Sequence, residues 1–129
     1  MTEKELNKLF WIRKRIKRLK RRIEELEDET GVGGIHLDGM PHSHNGKSIV
    51  EQIATDRFEL AQQLKEEERK EAAEERKITN YIATVEDEEV KLIMEMRFSD
   101  NEVWETIAEE LYCDPRTVAR KMRKYLKTH

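Results

Sequence analysis

Six aliphatic residues near the N-terminus, Leu9, Ile12, Ile16, Leu19, Ile23 and Leu26, recur at intervals of three and four with no glycine or proline among them. This spacing is helical and narrow. It turns one thin apolar seam toward a partner and leaves the rest of the helix to solvent. A chain built on such a seam needs a second helix to close it and has little use for a thick globular core. Composition agrees: of 129 residues, 41% are charged and only 36% hydrophobic. Thr2, followed three positions later by Glu5, forms a capping-box pattern. A first helix is therefore expected over residues 2–28.

The seam is flanked by the basic run RKRIKRLKRR at 13–22. With Leu9 at heptad position a, Arg13 and Lys20 fall at e, and Arg15 and Arg22 at g. A self-paired coil would bring these like charges together, so an acidic partner helix is favoured. The chain carries one downstream, in KEEERKEAAEERK at 65–77. Ser48 and Glu51 form a second capping-box pattern, opening a helix expected over 48–84. Ile49, Val50, Ile53, Ala54, Leu60, Ala61 and Leu64 are expected to bury its first half, and Ile78, Tyr81, Ile82 and Val85 its end. Residues 1–84 thus read as a long helical hairpin or coiled coil. Phe10 and Trp11 fall off the seam and need burial, which leaves a homodimer through the N-terminal helices open.

The two helices are joined by TGVGGIHLDGMPHSHNGK at 30–47, where glycines and Pro41 gather into a loop. His36, Asp38, His42 and His44 are metal-ligand types, but no regular element fixes their spacing, and the expectation is no metal and no cofactor. Phosphate-loop spacing is absent as well.

Residues 85–129 read as a three-helix module. Asp87 is placed to cap DEEVKLIMEMRF, with Val90, Ile93, Met94 and the stem of Arg97 facing inward. Met94 and Met96 suit core filling. Asn101 tolerates the left-handed turn that follows. Trp104, Ile107, Ala108 and Leu111 form the apolar stripe of a short helix. Asp114 and Pro115 then start another, a capping side chain before the one helical position where proline does no harm. Val118, Met122 and Leu126 line its inner side. This is the layout of a helix-turn-helix, whose second helix enters the DNA major groove. Arg116, Thr117, Arg120 and Lys121 are the candidates for base edges. Arg123, Lys124 and Lys127 are the candidates for phosphates. The net charge of −3 does not count against double-stranded DNA, because DNA responds to local patches and here the charge is segregated.

The blocks IMEMRF (93–98), WETIAEEL (104–111) and TVARKMRKYL (117–126) resemble region four of bacterial sigma factors, with matching spacing. The loop GMPHSHNGKS between charged helices is similar to small phage and prophage proteins with such a C-terminal module. The resemblance implies a transcriptional regulator of phage late genes, with RNA polymerase or a sigma factor as a further partner. Nothing resembles the sigma regions that melt promoters. The family has glycine where Tyr112 stands and serine or threonine where Val103 stands. A bulky residue at positive φ costs about 1 kcal/mol, so either the turn differs or packing of the tyrosine ring offsets the cost. Two other readings share these features: a phage terminase small subunit binding packaging-site DNA, and a protein-only adaptor whose C-terminal module docks on polymerase or a sigma factor through its acidic first helix, which carries Glu105, Glu109 and Glu110.

An enzyme is not expected, since no nucleophile, base and carboxylate set has convincing spacing. Cys113 is alone, so no internal disulfide forms. No signal peptide or membrane-spanning run is present, and a soluble cytoplasmic protein is expected.

Overall fold

The computed structural model describes residues 1–30 and 49–129, which are all-α. The glycine-rich loop from residue 31, its histidines and the Ser48 cap lie outside the described residues. The elements are α1 (Glu3–Leu6), α2 (Lys8–Thr30), α3 (Ile49–Ala83), α4 (Glu88–Met94), a π-helical turn (Glu95–Ser99), α5 (Trp104–Leu111) and α6 (Pro115–Thr128). Among the described residues, no helix is long and apolar enough to cross a membrane.

The capping signals are realised where they are described. The Thr2 hydroxyl accepts from the Glu5 amide, and the Glu5 carboxylate accepts from the Thr2 amide, both at 3.2 Å. Asp87 accepts from the amides of Glu89 and Val90. Asp114 accepts from the Arg116 amide at 2.8 Å, with Pro115 in the first turn. Two features depart from expectation. The helix expected over 2–28 is divided at Asn7. The helix expected over 87–98 loosens after Met94 into a π turn, closed by the Asp100 amide on the Glu95 carbonyl at 3.0 Å. Phe98, unassigned from the sequence, is 1% exposed there.

The chain forms two compact units, Lys14–Arg69 and Met1–Arg13 with Lys70–His129. This division differs from a boundary at residues 84/85. The reason is one buried cluster, in which Leu6, Leu9, Ile78, Ile82 and Val85 share a core with Ile93, Met94, Phe98, Ile107, Val118 and Met122. Short helices such as α4, α5 and α6 bury too little surface to close a core alone. The N-terminal residues and the end of α3 complete it.

Within the unit Lys14–Arg69, the segments of α2 and α3 run antiparallel, with Arg15 on Glu67 at 3.3 Å and Arg57 on Glu27 at 3.0 Å. Ile16, Leu19, Leu26 and Ile53 are buried between them. Ile23, Leu60 and Leu64 are half-buried. The broad buried stripe expected along the first half of α3 is not formed: Ile49, Val50, Ala54 and Ala61 are exposed. A seam as thin as that of α2 covers only a thin strip of its neighbour. Of the basic run, Arg15 meets this acidic helix. Lys17, Arg18, Lys20 and Arg21 are exposed, without an ion pair among the described residues.

Within the other unit, Arg13 does more than flank a seam. Its Nε lies 3.2 Å from Glu71, and its Nη1 donates to the Ser99 carbonyl at 2.6 Å and to the Asn101 side chain. Asn101 is left-handed as expected, at φ 56°. Arg13 therefore fastens the exit of the π turn to the N-terminal residues.

Candidate nucleic-acid interface

α6 carries Arg116, Arg120, Lys121, Arg123, Lys124 and Lys127 and no acidic residue. Its inner side is set by Val118, Ala119 and Met122, all buried, with Leu126 half-buried. That fixes which way the cations point. Arg116, Arg120, Arg123 and Lys127 follow at i, i+4, i+7 and i+11, and at about 100° per residue they form one stripe. Lys124 lies beside it. These five line a groove of ≈ 670 Å³ with Trp104, Glu105, Pro115 and Ala119.

The preceding turn decides how α6 is presented. Tyr112 stands at φ 55° and ψ 42°, the left-handed position. Its amide donates to the Glu109 carbonyl and the Cys113 amide to the Ala108 carbonyl, the pair of bonds that ends a helix in a Schellman turn. The geometry is the glycine-type turn, so the tyrosine does not alter it. Ring packing does not offset the strain either, because Tyr112 is 95% exposed. Tyr112→Gly is thus expected to raise stability by up to about 1 kcal/mol, the left-handed cost less the added chain entropy of glycine. A denaturant melt checks it, and a clear loss of stability would contradict a strained turn. Val103, at the start of α5, offers no side-chain cap, and its carbonyl takes the Thr106 and Ile107 amides.

The seven residues expected at the interface fall into three groups. Arg116, Arg120, Lys124 and Lys127 are exposed and have no ion-pair partner among the described residues. Thr117 is half-buried, with its amide on the Asp114 carbonyl. Lys121 and Arg123, at opposite edges of the exposed arc, are each held by a carboxylate. Lys121 Nζ lies 2.6 Å from Glu89 in the first turn of α4. That hydrogen bond and the charge behind it raise the ammonium pKa above its ordinary value. Arg123 Nε donates to both Glu3 oxygens at 3.2 Å. Its guanidinium also lies 5.9 Å from the Trp104 ring centre, while Arg97 lies over the same ring at 4.7 Å. Cation–π contact of this kind steadies the groove wall.

Glu3, Glu89, Arg97 and Trp104 as a wall were not picked out from the sequence. Glu89 had a local sign, an acidic residue in a first turn, but its partner is 32 positions away. Glu3 is likewise an acidic residue in a first turn, and it meets a residue 120 positions away.

No family model, no curated protein and no solved structure matches the chain.

Proposed function

We propose that the chain is a sequence-specific, double-stranded DNA-binding transcriptional regulator that reads the major groove with α6. The resemblance to sigma region four supports this reading and suggests a phage-encoded regulator acting with host polymerase. The observation that carries it is the partition of charge on α6. Edge cations are neutralised by Glu3 and Glu89, while Arg116, Arg120, Lys124 and Lys127 stand together with no acidic partner among the described residues. Arg116 sits in the first turn, at the positive end of the helix dipole, where a cation is unfavourable by roughly 0.3–1 kcal/mol. An anionic ligand reverses that penalty.

In this reading Arg116 and Arg120 meet base edges, since the planar arginine fork suits guanine. Lys124 and Lys127, further along the helix, hold phosphates and set its register. Lys121 serves the fold by tying α6 to α4. Arg120→Ala is expected to cost about 1–3 kcal/mol on the preferred duplex and to relax specificity at one position. Lys121→Ala should leave binding close to wild type. Mobility-shift titrations on the preferred site and on scrambled duplexes check both. Equal losses from Arg120→Ala on every duplex, or a larger loss from Lys121→Ala, would contradict these roles.

A further inference from the structure

A second groove, of ≈ 600 Å³, adjoins the one on α6. Lys4, Asn7, Lys8 and Trp11 line it from the N-terminal helices, together with Arg97 and Arg123. Arg123 lines both grooves, and it shares the Trp104 ring with Arg97. All of these residues belong to the unit formed by Met1–Arg13 and Lys70–His129. Leu6 and Leu9 anchor the N-terminal segment in the same core as Val118 and Met122 of α6. Lys4 and Lys8 are thereby placed relative to the basic helix.

The charge of this groove is one-sided. Its four cations face two carboxylates, Glu3 and Glu5. Both carboxylates are engaged, Glu3 by Arg123 and Glu5 by the Thr2 amide. Lys4 and Lys8 are exposed and have no ion-pair partner among the described residues. Trp11, expected inside from the sequence, is 59% exposed. Its ring meets Phe10 in a T-shaped contact, and its indole N–H, which can only donate, has no acceptor among the described residues. Lysines this open do not enclose a small anion. They suit a long polyanion, which gains from each point charge it meets along its length.

We infer that the DNA read by α6 continues across Arg123 into this groove, where Lys4, Lys8 and Trp11 hold the phosphate backbone that flanks the base-read site. The inference rests on the DNA reading and extends it. Each lysine neutralises one phosphate, and the indole N–H donates to a phosphate oxygen. Such contacts carry no sequence information. They lengthen the footprint and fix the orientation in which α6 enters the major groove.

The test uses the full chain and the duplex it enriches from a random library. One form ends at the last enriched position, and another carries one further helical turn, about ten base pairs, on each side. Wild type should bind the longer duplex more tightly. Lys4→Ala with Lys8→Ala should bind both lengths alike and lose about tenfold or more in affinity for the longer one at low salt. Its salt dependence on that duplex should flatten by about 2, near one unit for each phosphate released. Discrimination against scrambled duplexes should survive, and circular dichroism should show unchanged helix content. Tryptophan emission should change more on binding in wild type than in Trp11→Phe, which keeps Trp104. A double variant with wild-type salt dependence, or one that loses discrimination instead of flanking affinity, would overturn the inference while leaving α6 as the reader. Equal emission changes in wild type and Trp11→Phe would exclude Trp11 from the contact. Wild type that enriches no duplex would overturn the DNA reading itself, and this inference with it.

Discussion

Phe98→Ala is expected to cost about 3–5 kcal/mol, the usual loss when a buried aromatic leaves a cavity. Phe98 is 1% exposed and belongs to a core shared by the N-terminal residues, the end of α3 and α4, α5 and α6. Those walls come from separate parts of the chain, and relaxing all of them around a void would break the fastening of Arg13 to Ser99 and Asn101. A domain of this size has roughly 5–15 kcal/mol of stability in total, so the variant loses a substantial share of it. The denaturant midpoint measures the effect. A loss below about 1 kcal/mol would mean that the core collapses around the gap, and that α4 and the π turn are not the centre of this unit.

The second large effect concerns α6, where two double variants should fail in different ways. Arg116→Ala with Arg120→Ala is expected to remove about 2–6 kcal/mol of discrimination between the preferred duplex and others, adding the two readers as independent contributions. Lys124→Ala with Lys127→Ala should weaken binding to every duplex alike. It should also flatten the dependence of log affinity on log salt by about 2, near one unit for each phosphate that is no longer neutralised. Glu3→Gln should act in the opposite sense. It frees Arg123, which lies at the groove edge, and steepens the salt dependence by up to about one unit.

The parts of this fold that were legible are those encoded within a few residues. Thr2 with Glu5, Asp87, and Asp114 before Pro115 each cap a helix because donor and acceptor lie within one turn of each other. The seam from Leu9 to Leu26 was legible because helical spacing alone decides which side it turns inward. Periodicity says less about how much of a neighbour a seam can cover, and for that reason Val50, Ala54 and Ala61 were expected inside and are exposed. The π turn depends on how the backbone settles between two packed ends, and no residue in EMRFS announces it. Tyr112 was legible as a left-handed position, but the exposure of its ring was not. Composition picked out the basic residues of α6 and could not rank them. That ranking comes from Glu3 and Glu89, which pass unnoticed until the chain folds and sets them beside Arg123 and Lys121.

Whether α6 reads DNA sequence can be decided by one experiment. The full-length protein is used to select duplexes from a random library, and the enriched site is titrated across a range of salt concentrations. A defined motif is expected, with its preference lost in the Arg116 and Arg120 double variant and with affinity that falls steeply as salt rises. A library that yields no enriched sequence, or binding that does not respond to salt, would contradict a reading role for α6.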